Sequence, residues 1–104
     1  MKIQFNTDNN ITGSESLRSP LEATISRSLN RFSDRITRLE VHLNDVNSHK
    51  GGENDKRCLL EARLEGMQPV AVTNNGDTHE QAVKGAIDKL KVALDTIIGR
   101  SRNY

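Results

Sequence analysis

Ile36-Thr37-Arg38-Leu39-Glu40-Val41-His42-Leu43-Asn44 is the stretch whose reading decides the fold. Leu39, Val41 and Leu43 fall on one side of an extended chain, and Arg38, Glu40, His42 and Asn44 on the other. That alternation predicts a strand with one buried face. Beyond it, Asn47 to Asp55 is polar and contains Gly51-Gly52, which reads as a hairpin loop. Cys58, Leu60, Ala62 and Leu64 then alternate with Arg57, Leu59, Glu61 and Arg63 as the next strand. Gly66 turns the chain into Pro69-Val70-Ala71-Val72-Thr73, a short strand whose proline suits a strand start or an edge. Asn74-Asn75-Gly76-Asp77 closes it. Near the N-terminus, Ile3 and Phe5 alternate with Lys2, Gln4 and Asn6 as a further short strand, and Asp8 to Gly13 carry turn chemistry.

Two stretches follow the helical period. Leu17, Leu21, Ile25, Leu29 and Phe32 recur at three- and four-residue spacing, an amphipathic helix ending near Ser33. Its start has two readings. Ser14 can cap a helix that then contains Pro20, or Ser19 caps, Pro20 takes the first position and Glu22 completes a capping box. The apolar spacing reaches back to Leu17, so an irregular first turn, kinked at Pro20, is expected. The second helix opens at Thr78 as cap and buries Ala82, Val83, Ala86, Ile87, Leu90, Ala93, Leu94, Ile97 and Ile98. Gly99 is expected to stop it, leaving residues 100–104 as a short basic tail behind a single domain over 1–99.

The order β-α-β-β-β-α predicts an α+β two-layer sandwich. The strand–helix–strand unit joins parallel strands and tight turns join antiparallel ones, giving a mixed four-stranded sheet with both helices on one face. The open face then carries Glu40, His42, Arg57, Glu61 and Arg63.

At 104 residues, 34% of them hydrophobic and 28% charged, the chain is one domain's worth with a lean core. No apolar run approaches the ~18 residues a bilayer span needs. Met1 to Asn6 lacks the features of a secretory signal, and the single Cys58 fits a reducing compartment, so a cytoplasmic protein is expected.

Candidate chemistry is sparse. Lys50-Gly51-Gly52 lacks the strand, helix and spacing of a phosphate-cradling loop. His42, His49, Cys58 and His79 show no metal-ligand spacing, and His42 and Cys58 point to opposite faces of their strands. No serine lies in a nucleophile context, and no paired carboxylates suggest a cleft. Neither an enzyme nor a metal or other cofactor is expected.

Charge is more informative by segment than in total. The chain as a whole is +1, residues 24–38 are +3, residues 41–77 are −2 and residues 78–104 are +2. Arg27 and Arg31 are four apart, and Arg35 and Arg38 continue the positive field. Such a strip either contacts successive phosphates through bidentate guanidinium groups or stands as an ordinary solvated face. On the second helix, Lys84, Asp88, Lys91 and Asp95 alternate in sign along one stripe and read as self-compensating pairs, leaving Lys89, Arg100 and Arg102 uncompensated. With Phe5, Phe32 and Tyr104 the only aromatics, base stacking is excluded; an RNA partner would be bound by backbone and shape.

Several blocks resemble the ribosome hibernation-promoting factor family, also described as ribosome-associated inhibitors or sigma-54 modulation proteins. Asn9-Asn10-Ile11-Thr12 leading to Leu17-Arg18, and Leu29 through Asp34-Arg35-Ile36, are similar to the family's first helix and its exit. Ala82-Val83, Ala86-Ile87, Lys89-Leu90 and Ala93-Leu94 resemble its last helix without a gap. Val41-His42-Leu43, Asp55-Lys56-Arg57-Cys58 and Glu61-Ala62-Arg63 resemble a stand-alone subgroup. The resemblance implies a fold like that of double-stranded-RNA-binding domains. It also implies binding to the small ribosomal subunit and its rRNA, with no catalysis, cofactor, membrane or small-molecule substrate. The RNA-binding residues it implies are Lys89, with Arg27, Arg31 and Arg35 in the corresponding basic region; Arg38 and Arg100 extend that set on charge alone. The open sheet face remains a possible site for a protein partner.

Overall fold

The computed structural model describes residues 1–7, 14–45 and 56–102. The expected turn at 8–13 and hairpin loop at 47–55 lie outside them. Strand β1 (Lys2–Thr7) leads to helix α1 (Ser14–Ser28) and a 3-10 turn at Asn30–Phe32. Strands β2 (Ile36–Asp45), β3 (Lys56–Leu64) and β4 (Val70–Gly76) follow, and helix α2 (His79–Arg102) completes the chain. The sheet order is β1-β2-β3-β4. β1 is parallel to β2, while β2–β3 and β3–β4 are antiparallel, as the strand and helix order predicts.

Alternation builds the core. Leu39, Val41 and Leu43 of β2 and Cys58, Leu60 and Ala62 of β3 are fully buried or within 1% of it. They form one cluster with Leu21, Ile25 and Leu29 of α1 and Ala82, Val83, Ala86, Leu90 and Leu94 of α2. Both helices therefore cover the same face. Ile36 is also buried, although it is three residues from Leu39 rather than two. An irregularity between Ile36 and Arg38 absorbs the odd residue: Ile36 pairs with Leu64 and Arg38 with the adjacent Arg63. Thr37, the inserted residue, donates its hydroxyl to the Arg63 carbonyl at 3.0 Å.

One open boundary is settled and three expected ones move. α1 uses the earlier start, with Pro20 inside the helix, because Leu17 packs against the core. It ends at Ser28 rather than near Ser33, and the chain tightens into the 3-10 turn. The three-residue step from Leu29 to Phe32 is the 3-10 period, which keeps both side chains buried. β4 extends through Asn74 and Asn75 to Gly76, pairing with Lys56 at its far end. Gly99 does not stop α2, which continues to Arg102.

Two glycines have different reasons to be there. Gly66 sits in the β3–β4 turn at φ 72°, a torsion that side-chain-bearing residues rarely adopt. At Gly76 the constraint is space: a Cβ would lie 2.7 Å from the Ala82 nitrogen, because the first turn of α2 is laid directly on the end of β4. Thr78 caps that turn as expected, accepting the Gln81 N–H at 3.1 Å, while the Gln81 side chain accepts the Asp77 N–H at 3.0 Å.

Candidate nucleic-acid interface

The four arginines expected on one strip occupy four different local conformations. Arg27 is on the last turn of α1, Arg31 in the 3-10 turn, Arg35 in the turn after it and Arg38 on β2. The transition is held by short backbone bonds, from Phe32 to Leu29 at 2.9 Å, Ser33 to Asn30 at 3.1 Å and Arg35 to Phe32 at 2.9 Å.

Arg31 and Arg35 come together. They border a recess of about 280 Å³ with Phe32, Asp95 and Ile98. Arg31 stacks on the Phe32 ring at 4.2 Å and donates to both Asp95 carboxylate oxygens at 2.8 Å each. The hydrogen bond to Asp95 holds the Arg31 guanidinium above its ordinary pKa, and the same bond holds the Asp95 carboxyl below the usual carboxylate range. Arg27 and Arg35 are exposed and make no ion pair among the described residues.

Arg38 does not join them. The alternation of β2 sends it to the other side of the sheet, where it pairs with Glu40 at 2.8 Å. Strand pairing sets Arg38 opposite Arg63 and Glu40 opposite Glu61, so opposite charges meet along and diagonally across the strands. Glu40 is the hub, 3.3 Å from Arg63 and 3.4 Å from His42, and Arg63 also reaches Glu61 at 3.3 Å. Burial alone would push the Glu40 carboxyl up, but Arg38, Arg63 and His42 outweigh it and hold it low.

Lys89 lies on the flank of α2 that faces β4 and donates to the Thr73 carbonyl at 2.9 Å. β4 is an edge strand, so this ammonium blunts one of its open acceptors. Arg100 belongs to the last turns of α2, and its side chain lies outside the described residues.

The stripe on α2 does not compensate only within itself. Lys84 pairs with Glu80 at 2.9 Å, and Asp95 is engaged by Arg31 across the helix layer. Asp95 is the site residue that sequence reasoning missed. The partner is sixty-four positions away, and no helical spacing signals it.

A neighbouring groove of about 140 Å³ is lined by Asp34, Arg35, Leu64, Glu65, Met67 and Ile98. Neither hollow reaches the roughly 300–1,000 Å³ of a small-molecule pocket. Among the described residues no group of three or more His, Cys, Asp and Glu side chains could hold a metal ion. His42 and Cys58 lie on opposite faces of the sheet, as expected, and burial pushes the Cys58 thiol up to about 12.

The sequence matches the model of the family described as sigma 54 modulation protein / S30EA ribosomal protein over residues 3–102. The chain belongs to this family. Its fold is that of the N-terminal domain of Thermus thermophilus Protein Y, at TM-score 0.72 and 20% identity over 93% of this chain and 99% of that one. A ribosomal subunit interface protein from Coxiella burnetii is similar to the same degree, at TM-score 0.72 and 22% identity, over 95% of this chain and 99% of the other. No curated protein sequence matches the chain. Membership of the sigma 54 modulation / S30EA family bears out the resemblance read from the sequence, and the fold bears out the β-α-β-β-β-α sandwich.

Proposed function

We propose that this chain is a ribosome-associated translation inhibitor, or hibernation factor, that binds the small ribosomal subunit through rRNA backbone contacts. The carrying observation is the S30EA family match over nearly the whole chain. The Coxiella burnetii neighbour, described as a ribosomal subunit interface protein, supports the same reading. The helix layer is the docking side. Arg27 and Arg35 stand exposed there without a carboxylate partner among the described residues, Arg31 lies between them in the chain, and Lys89 lies on α2. Phosphate contacts of this kind need no cavity and no cofactor, and position a protein by charge. The reading goes with a cytoplasmic site of action, and no helix among the described residues is long and apolar enough to cross a membrane.

The test is sedimentation of stationary-phase extracts at low salt. Co-migration with small-subunit fractions is the expected result. Travel with the light fractions alone counts against the proposal. Charge reversal at Arg27 and Arg35 should release the protein without unfolding it.

One observation favours a second reading, a stand-alone protein-interaction or stress-regulatory module using the open sheet face. The Glu40 cluster ties up Arg38 and Arg63 among carboxylates, which suits a polar protein contact better than a phosphate track. Binding that survives high salt, and is lost on substitution at Glu40 or Arg63 rather than at Arg27 or Arg35, would favour it.

A further inference from the structure

Arg31 is the best-prepared guanidinium on the helix layer. Its guanidinium carbon stands 4.2 Å from the Phe32 ring, and it borders the recess that Arg35 and Asp95 also line. Both outer nitrogens are occupied, at 2.8 Å each, by the two oxygens of Asp95. A phosphodiester presents two oxygens to a guanidinium fork much as a carboxylate does. One edge of the fork cannot serve both.

We propose that the recess between Arg31 and Arg35 is a phosphodiester-binding site controlled by Asp95, whose carboxylate occupies Arg31 in the free protein and yields it to an RNA backbone phosphate. The inference rests on the RNA reading above for the identity of the polyanion. Exchange is open to solvent, since the Arg31 and Asp95 side chains are 59% and 52% exposed. An exposed pair of this kind is weakly held. Phe32 keeps the fork in place when Asp95 leaves, so Arg31 need not be reordered to receive phosphate. Arg35, unpaired among the described residues, gives the incoming phosphate a first foothold on the same recess. Asp95 thus sets the affinity of the surface. A chain with several phosphates displaces it, because contacts at Arg27 and Arg35 hold the next phosphate close to Arg31.

The test compares Asp95→Asn with Asp88→Asn. Both remove one negative charge from an exposed position on α2, but only Asp95 touches Arg31. Binding to purified small subunits is measured across a potassium chloride series, and elution from heparin-agarose is measured in parallel. Asp95→Asn should bind about 3–10-fold tighter than the unsubstituted chain at moderate salt. Its salt dependence should keep the slope of the unsubstituted chain, because Arg31 contacts phosphate in both bound states and only the cost of displacing Asp95 is removed. Asp88→Asn should change affinity less than about twofold, the effect of net charge acting at long range. Adding Arg31→Gln to Asp95→Asn should abolish the gain.

Equal shifts for the two aspartate variants would overturn the proposal while leaving subunit binding itself intact. If the unsubstituted chain and every variant fail to bind subunits, the ribosome reading falls. The heparin arm then decides the recess: later elution of Asp95→Asn than of Asp88→Asn supports it, and co-elution overturns it.

Discussion

Replacing Gly76 by alanine tests how α2 is seated, and so how Asp95 and Lys89 reach their partners. The backbone torsion does not require glycine there; the required feature is room. An added methyl would stand 2.7 Å from the Ala82 nitrogen and 2.9 Å from the Gln81 Cβ. Ordinary contact distances are roughly 3.5–4.0 Å, so the first turn of α2 must retreat by about an ångström. That turn is not free to do so. Ala82 donates its N–H to the Thr78 carbonyl at 3.0 Å, and its side chain is fully buried. Overpacking of this kind costs roughly 1–3 kcal/mol. The stiffer unfolded chain returns about 0.4–1 kcal/mol. A net loss of about 1–2 kcal/mol remains, which lowers the melting temperature of a domain this size by roughly 5–15 °C. Thermal and urea unfolding followed by circular dichroism measure it. Gly99→Ala is the control, because nothing lies within 4 Å of a Cβ there. In open space inside a helix the same substitution stabilises by up to about 1 kcal/mol. Gln81→Ala should not rescue Gly76→Ala, since alanine keeps the offending Cβ and backbone. A Gly76→Ala protein as stable as the parent would refute the account of how helix and strand are packed.

Thr78→Ala should cost about 1 kcal/mol by removing the acceptor for the Gln81 N–H, and Thr78→Ser should restore most of it in the same unfolding assay. The Cys58 thiol, raised to about 12 and fully buried, should resist iodoacetamide at pH 8 in the native protein and react once urea unfolds it. Because Glu40 is held below its unfolded value, its contribution to stability is present above the ordinary carboxylate range and lost as pH falls through the lowered value. A carboxyl titration by NMR that finds Glu40 at or above the ordinary value would contradict the cluster. Replacing Arg27 and Arg35 together by glutamine should flatten the salt dependence of subunit binding by up to about two contacts. Arg38→Gln, on the opposite face, should leave that slope unchanged.

The fold was legible wherever one face of an element is buried. β2 and β3 show it in their alternation, and α2 in its three- and four-residue spacing, because burial of that face is what orders them. The same pattern carried a finer signal that periodicity alone leaves unread. Ile36 is out of phase with Leu39, and that slip is the irregularity opposite Leu64 and Arg63. The short step from Leu29 to Phe32 likewise marks the change from α to 3-10 geometry. Gly99 misleads because glycine is tolerated inside a helix when neighbouring turns are anchored, here by Leu94 and Ile98 in the core. The site was less legible. Segment charge grouped Arg27, Arg31, Arg35 and Arg38, although the alternation from Ile36 already sets Arg38 on a strand, on the face away from the buried residues. Neither charge nor spacing reveals that Asp95 arrives from the other helix.

That division of the basic segment decides how the surface can work. Residues 24–38 carry +3 as a stretch of chain, yet the fold sends Arg38 to the sheet face and ties Arg31 to Asp95. Only Arg27 and Arg35 remain uncommitted among the described arginines of that stretch. On the proposed reading, a polyanion meets Arg27 of α1 and Arg35 of the turn before β2, and gains Arg31 only by displacing Asp95 of α2, an arrangement that exists only after the helices have docked on the sheet. Affinity then follows from the seating of α2 as much as from arginine count. A packing substitution at Gly76 and a charge substitution at Asp95 act on the same surface by different routes: the first moves the helix that carries Asp95, and the second releases Arg31 without moving it.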